Sequence, residues 1–103
     1  MINNDYVRGY FDAHGRVDRV QSKGRHYLRI KFQEQHKAVI EAVIAYLRAQ
    51  GYRVSTWFGR SCAYDSRAPR YHAQIARQDE VRRFRDEIGT EIPKWQDRFN
   101  ELA

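Results

Sequence analysis

From His26 to Gln33, apolar side chains alternate with charged, aromatic or amide side chains, and this pattern constrains the fold more than any other feature of the chain. Leu28, Ile30 and Phe32 fall on one side of an extended strand. The opposite side carries Tyr27, Arg29, Lys31 and Gln33. Because successive strand residues point to opposite faces of a sheet, the pattern predicts a sheet with one face packed on helices and the other exposed.

The remaining periodicities predict the element order α-β-β-α-β-β-α-α. Apolar residues at intervals of three and four predict helices near residues 4–14, 35–50, 79–88 and 93–102. Strands are predicted at residues 16–21, 26–33, 52–58 and 70–76. Two successive β-β-α units end at Gly51 and Gly89, each of which follows a predicted helix. We therefore predict one α+β domain over residues 1–103, with the αββαββα(α) order and a four-stranded antiparallel sheet carrying helices on one face.

The positive charge of the chain is concentrated in the two predicted strand pairs. Residues 16–33 contain six basic residues and one acidic residue, and residues 53–77 contain five and one. Basic residues scattered over a surface are typical of ordinary solvation, whereas a basic excess confined to strand pairs indicates nucleic-acid binding.

Cysteine and apolar content indicate a protein of the reducing cytoplasm. Cys62 is the single cysteine of the sequence, which we predict to be a loop residue without an internal disulfide. No apolar run has the length of a membrane span, so we expect no membrane partner. The spacing of a zinc motif is not found among His26, His36, His72 and Cys62.

The first predicted helix contains the nine residues Val7-Arg8-Gly9-Tyr10-Phe11-Asp12-Ala13-His14-Gly15. Gly9 and Ala13 are four residues apart, so one side of the helix is almost bare of side chains. Small residues at this spacing allow two helices to pack closely. They are equally compatible with clearance for the chain's own core.

These nine residues resemble the motif of the LAGLIDADG homing endonucleases, Leu-Ala-Gly-Leu-Ile-Asp-Ala-Asp-Gly. The resemblance extends over essentially the whole chain, because the element order agrees and residues 81–99 look like the family's closing helical segment. It implies a homodimer, since members with one motif copy pair through it, and it implies double-stranded DNA as the partner. Such members are site-specific, metal-dependent nucleases, often encoded with a mobile intron or intein.

The resemblance also implies roles for individual residues. It assigns the dimer interface to Val7, Gly9, Tyr10 and Ala13. It assigns metal binding to His14 and Gly15, and catalysis to His14, Gln35 and Lys94. Asp12 points about 200° away from His14 around the helix, so we interpret it as structural, hydrogen-bonded to backbone or to a basic side chain.

Family members lay their sheet along the major groove, which makes the outward side chains of the strands candidates for base contacts. Arg and Lys can donate to guanine, Gln to adenine, and Asp can accept from cytosine. The candidates are Arg16, Asp18, Tyr27, Arg29, Lys31, Gln33, Arg53, Ser55, Trp57, Arg70, His72 and Gln74. Turn and loop residues that would hold phosphates instead are Arg25, Arg60 and Arg67.

His14 departs from the family motif, which has an acid at this position. The resemblance implies Mg²⁺ or Mn²⁺ as the cofactor, but imidazole suits softer ions better than Mg²⁺. Three interpretations stay open: a DNA-binding relative that has lost or greatly weakened cleavage, a nuclease in which His14 is a general base or binds a softer metal, and a residue that was changed or that serves only packing. A non-cleaving function would be that of a DNA-binding regulator or an intron RNA-binding maturase.

Overall fold

The computed structural model describes residues 1–60, 63–64 and 66–102, so Cys62 lies outside the described residues. The helices are α1 (Asn4–His14), α2 (Lys37–Ala49), α3 (Gln78–Glu87) and α4 (Pro93–Phe99). The strands are β1 (Gly15–Ser22), β2 (Arg25–Glu34), β3 (Ser55–Gly59) and β4 (Arg70–Ile75). They form one sheet of order β1-β2-β4-β3 in which every neighbouring pair is antiparallel. The predicted α+β class and element order are confirmed.

Four phenylalanines join the helices to one face of the sheet. The ring of Phe11 in α1 lies 5.8 Å from that of Phe32 in β2 and 5.4 Å from that of Phe84 in α3. Phe99 of α4 lies 6.4 Å from both Phe11 and Phe84. All four rings are buried. Burying such large rings supplies much of the driving force for folding, so the core lies between the helices and this face.

The strand that carries the alternation behaves as its pattern predicts. Leu28, Ile30 and Phe32 are buried, and the polar residues between them lie on the opposite face. The turn before this strand uses Lys23 and Gly24, both with positive φ. Two such residues form the tight turn whose twist matches a two-stranded hairpin, which fixes the register of β1 against β2.

The third strand is shorter than the prediction, which placed its start at Tyr52. Tyr52 and Val54 are buried, but β3 begins only at Ser55. The backbone N–H of Arg53 donates to the Glu80 carboxylate at 2.6 Å, and the carbonyl of Val54 accepts from the Arg48 guanidinium at 2.7 Å. Side chains thus satisfy these two backbone hydrogen-bonding groups, so the segment does not need a neighbouring strand to do so.

None of the helices in the described part of the chain has both the length and the apolar composition that a membrane span needs.

Candidate nucleic-acid interface

Within the described part of the chain, the helices contact one face of the sheet and no element covers the other face. On the uncovered face, Lys31 of β2 lies between Arg16 of β1 and Gln74 of β4, and Gln74 lies beside Ser55 of β3. One row of polar side chains therefore crosses all four strands. We call this face, with its outward residues, the outer face.

Asp18 organises the basic side chains of the outer face. Its carboxylate lies 3.1 Å from Nε of Arg16 and 3.7 Å from Nζ of Lys31, and its backbone is paired with that of Arg29. Burial lowers the pKa of Lys31 below its ordinary value, the Arg16 charge lowers it further, and the Asp18 carboxylate opposes both effects. The Asp18 carboxylate is thus an ion-pair partner of two of the basic side chains of the outer face.

The prediction that His72 contacts bases is wrong, because this residue is only 2% exposed. The Trp57 indole stacks on the imidazole, with ring centroids 4.9 Å apart and planes 2° apart. Nε2 of His72 lies 2.8 Å from the carbonyl of Gly59 and donates to it. Trp57 is 38% exposed, and the Lys31 ammonium lies 5.5 Å from its ring centroid. The imidazole therefore supports Trp57, and Trp57 is the accessible group.

The other predicted contacts fall in several parts of the structure. Tyr27 and Arg29 are half-buried on the outer face, as is Gln33, which lies beside His72. Arg53 is exposed but precedes β3, so its predicted place on a strand face is wrong. Arg25 begins β2, while the exposed residues of the β3–β4 connection include Arg60 and Arg67. Arg70 begins β4 and lines a cleft together with Arg67.

That cleft, of about 580 Å³, lies at the C-terminal end of α1. Nδ1 of His14 is 3.8 Å from a carboxylate oxygen of Glu34, the last residue of β2. The imidazole is 42% exposed, whereas the carboxylate is 8% exposed. The Tyr10 ring packs on the imidazole at 4.8 Å, and burial together with the Glu34 charge raises the pKa of the Tyr10 phenol. Among the described residues, the cleft lining thus combines the exposed imidazoles of His14 and His36 with the nearly buried carboxylate of Glu34.

Glu34 is a cleft residue that sequence reasoning missed. It follows Leu28, Ile30 and Phe32 at the same spacing of two, so strand alternation places it on the helix-covered face. An acid at an inward position is unusual unless it has partners. The inward position of Glu34 in the strand alternation was therefore the sequence signal for a cleft residue.

Of the two other predicted catalytic residues, Gln35 lies in the cleft and Lys94 lies on α4. Gln35 is exposed and lines the cleft, where its backbone N–H donates to the Glu34 carboxylate at 3.1 Å. Lys94 is exposed on α4 with its ammonium 4.8 Å from the Trp95 ring centroid. Among the described residues, those lining the cleft do not include Lys94. The structure therefore brings Gln35, but not Lys94, to His14.

The motif helix begins at a side-chain cap, because the Asn3 side chain accepts from the N–H of Tyr6 at 2.8 Å. The prediction that Val7 lies in the dimer interface is wrong, because Val7 has no exposed surface and packs in the protomer's own core. Tyr10 also packs in the core and is 7% exposed, but it lines a groove together with Gly9 and Ala13, so its place in the interface stays a prediction. Helical spacing places Val7 and Tyr10 on the same side as the buried Phe11.

Gly9 and Ala13 are exposed, on the other side of α1. A Cβ added to Gly9 would meet no atom within 4 Å. The protomer's own packing therefore does not require glycine here, which removes clearance of the chain's own core as the explanation. The two residues line a shallow groove together with Asp5, Tyr6, Tyr10 and His14.

Asp12 has the structural role predicted for it. Its carboxylate accepts hydrogen bonds from the Thr90 hydroxyl and, at 3.0 Å, from the backbone N–H of Glu91. These bonds fix the segment between α3 and α4 against the motif helix. Asp12 is thus turned away from the cleft and is not available as a second acid beside His14.

The donor set of the cleft does not fit the Mg²⁺ ion that the family resemblance implies. Mg²⁺ is bound by oxygen ligands in near-ideal octahedral geometry. Among the described residues that line this cleft, the accessible ligand groups are the imidazoles of His14 and His36, and the carboxylate is that of Glu34. Within the described residues, no three His, Cys, Asp or Glu side chains lie close enough together to hold an ion.

Both the sequence and the fold of the chain are similar to those of known proteins. Residues 2–89 match the family model described as LAGLIDADG-like domain. Among solved structures, the fold is similar to that of the LAGLIDADG meganuclease I-AabMI bound to uncleaved DNA, with a TM-score of 0.56 and 18% identity. The match covers 82% of this chain and 29% of that one, so the chain spans less than a third of the meganuclease. No curated protein matches the sequence. Because the family model covers most of its length, the chain belongs to the LAGLIDADG-like domain family.

Proposed function

We propose that the chain binds double-stranded DNA at a defined sequence, and that it does so as a homodimer. The observation that carries the proposal is the uncovered outer face, where Arg16 of β1 lies beside Arg29 and Lys31 of β2 and the Asp18 carboxylate contacts Arg16 and Lys31. Arg and Lys donate to guanine O6 and N7 in the major groove. Membership of the family and the DNA-bound meganuclease of similar fold support the same ligand.

The β1–β2 hairpin has dimensions that suit this ligand. A two-stranded ribbon fits the major groove, which is about 12 Å wide. The eight residues of β1 extend over about 26 Å at about 3.3 Å per residue. One turn of B-DNA is about 34 Å long, so one hairpin follows the groove for somewhat less than a turn. Two protomers would then read two half-sites related by a two-fold axis.

The exposed side of α1 is the surface we propose for pairing. Gly9 and Ala13 leave the backbone of α1 accessible, and Tyr6 is 46% exposed beside them. A second copy packing on this groove would cover an apolar surface that the protomer leaves open. Close approach of two helices at such a stripe gains van der Waals contact along both backbones.

We further propose that binding is not accompanied by Mg²⁺-dependent cleavage. His14 stands where the family has an acid, Asp12 is held by Thr90 and Glu91, and Glu34 is nearly buried. Two-metal hydrolysis of a phosphodiester needs anionic oxygen ligands at both ions. The chain's cleft therefore favours the non-cleaving interpretation over the Mg²⁺-dependent nuclease.

Selection from a randomised duplex library tests the binding proposal. The selection is done with a chelator present, so that no metal is needed, and parallel arms use single-stranded DNA and RNA. We expect an enriched duplex sequence with two-fold symmetry. Equal weak binding to all duplexes, or enrichment in the RNA arm alone, would contradict the proposal, and the latter would favour the maturase alternative.

Matched charge variants locate the binding surface. Arg29→Ala and Lys31→Ala on the outer face should each reduce affinity for the selected duplex about tenfold, as loss of a good base contact does. Arg85→Ala on α3 removes the same charge from a helix and should leave affinity nearly unchanged. Equal effects of all three substitutions would indicate that only net charge matters.

Cleavage is tested on the selected duplex with Mg²⁺, comparing the natural chain with His14→Asp. We expect no cleavage by the natural chain. Cleavage by the His14→Asp variant would identify residue 14 as the point at which the activity was lost. Cleavage by the natural chain but not by His14→Ala would contradict the non-cleaving proposal while leaving DNA binding intact.

A further inference from the structure

We infer that Trp57 reads the 5-methyl group of a pyrimidine in the major groove, so that binding depends on one methyl group in each half-site. The inference rests on the proposed function, because it concerns one contact between the outer face and duplex DNA. Thymine carries this methyl group in the major groove, and 5-methylcytosine carries the same group on the other pyrimidine.

The indole is an apolar surface beside a polar row of the outer face. Trp57 lies opposite His72, and the adjacent outward row consists of Ser55, Gln74 and Lys31. That row can hydrogen-bond to the donors and acceptors of base edges, whereas the ring carbons of Trp57 offer apolar contact. The group of a base edge that suits apolar contact in the major groove is the thymine methyl. Trp57 is 38% exposed, which leaves room for this contact.

The stack on His72 holds the indole in one orientation. The two ring planes are 2° apart, with centroids 4.9 Å apart. The imidazole is itself fixed, because its Nε2 atom lies 2.8 Å from the carbonyl of Gly59 and the residue is buried. A ring that is already ordered loses little conformational freedom when a base contacts it. Even a contact with one methyl group should therefore contribute to affinity.

Lys31 indicates where the methyl group should lie in the target. Its ammonium is 5.5 Å from the centroid of the Trp57 ring. Successive base pairs of B-DNA are about 3.4 Å apart. The pyrimidine that carries the methyl group should therefore lie within about two base pairs of the guanine that Lys31 contacts.

The size of the effect follows from the burial of one methyl group. Its removal from the DNA should weaken binding about fourfold for each half-site, and about 15-fold when both half-sites lose it. Trp57→Phe keeps an aromatic ring and removes the indole N–H, so this dependence should persist. Trp57→Ala removes the ring, and the dependence should disappear.

The test measures affinity for the selected duplex with deoxyuridine in place of each thymidine in turn. This exchange removes one methyl group and leaves base pairing unchanged. At one position of each half-site, we expect the loss with the natural chain and with Trp57→Phe, but not with Trp57→Ala. Each comparison uses two duplexes with the same protein, so partial unfolding of a variant cancels in the ratio of affinities.

Cytosine and 5-methylcytosine are then compared at the same position to distinguish the two sources of the methyl group. Tighter binding of 5-methylcytosine, by about fourfold, would show that Trp57 reads the methyl group on either pyrimidine. Equal binding of the two, together with the loss on deoxyuridine exchange, would show that thymine alone is read.

Two further variants are controls. Phe58→Ala removes the neighbouring ring on the helix-covered face, and the methyl dependence should be unchanged. Methyl dependence that survives Trp57→Ala, or that is lost in Val20→Ala on the opposite edge strand, would overturn the inference. Sequence-specific binding that no deoxyuridine exchange weakens would also overturn it and leave the proposed function standing, whereas the absence of any preferred duplex would contradict both.

Discussion

The Asp18 carboxylate lies beside two cations of the outer face, Arg16 and Lys31, and it partly offsets the effects that lower the pKa of the lysine. Burial and the Arg16 charge lower the pKa of Lys31, and Asp18 raises it. Asp18→Asn should therefore lower the pKa of Lys31 further, while Arg16→Gln should raise it. NMR titration of the lysine side-chain resonances measures both shifts. An unchanged pKa in both variants would show that these charges do not act on Lys31.

The same shift makes stability depend on pH in a defined direction. Because the pKa of Lys31 is lower in the folded chain than in the unfolded chain, the charged ammonium costs stability. That cost is complete below the folded-state pKa and disappears as the pH rises from there to the unfolded-state value. Lys31→Met should therefore flatten this part of the stability profile measured by urea unfolding. A profile that is unchanged by Lys31→Met would contradict the assignment.

Individual residues were predictable from sequence to different degrees. The position of His14 at the helix end followed from the motif, but its partner Glu34 was missed although strand parity pointed to it. The burial of His72 depends on the cross-strand indole of Trp57, and contacts between strands are not readable along one strand. Val7 was assigned to the wrong partner because an apolar helix side can pack equally on a sheet or on another subunit.

At the scale of elements, Asp12 connects the motif helix to the segment before α4. Its two hydrogen bonds are made with Thr90 and Glu91. Asp12→Ala leaves these donors without a partner and should destabilise the chain by about 1–3 kcal/mol. Asp5→Ala on the same helix removes only an exposed ion pair with Arg8 and should cost at most about 1 kcal/mol. Urea unfolding measures both, and equal losses would contradict the connecting role of Asp12.

The two faces of β3 offer a test with neighbouring residues. Trp57 lies on the outer face, whereas Phe58, though 60% exposed, lies beside Tyr71 on the helix-covered face. Trp57→Ala should lower affinity for the selected duplex about tenfold and weaken base preference at one position of each half-site. Phe58→Ala should change neither. Repeating the selection with each variant measures this, and an effect of Phe58→Ala as large as that of Trp57→Ala would place the interface elsewhere.

Elements with strong local signals were predicted well. The turn at Lys23 and Gly24 and the alternation of β2 are both local features, so their sequence carries them. The start of β3 was misplaced because the side chains of Arg48 and Glu80 hydrogen-bond to the backbone before Ser55. Glu80 is 27 residues from its partner Arg53, and hydrogen bonds from side chains to backbone do not show in a periodic pattern.

For the whole molecule, the proposed homodimer predicts a variant that separates assembly from folding. Gly9→Leu adds a side chain where the protomer has open space, so the fold should persist while the paired helices are forced apart. Sedimentation at micromolar concentration should show a monomer, and DNA affinity should fall about 100-fold as the second half-site contact is lost. Ala42→Leu, an equivalent change on the exposed side of α2, should leave the dimer intact. A monomeric natural chain would contradict the pairing.

The overall architecture was the most predictable level, because two β-β-α units with complementary apolar faces admit few arrangements. The sheet order, with β4 between β2 and β3, follows from long-range pairing and came only with the structure. That order brings Lys31, Gln74 and Ser55 into one row, which no segment of the sequence contains.

The most direct test of the account is an NMR titration of the chain with its selected duplex, observing the Nε–H groups of individual arginines. Arg16 and Arg29 lie on the outer face, and Arg83 and Arg85 lie on α3. We predict large shifts for Arg16 and Arg29 and little change for Arg83 and Arg85. Shifts confined to the α3 arginines, or equal for all four, would contradict DNA binding through the outer face.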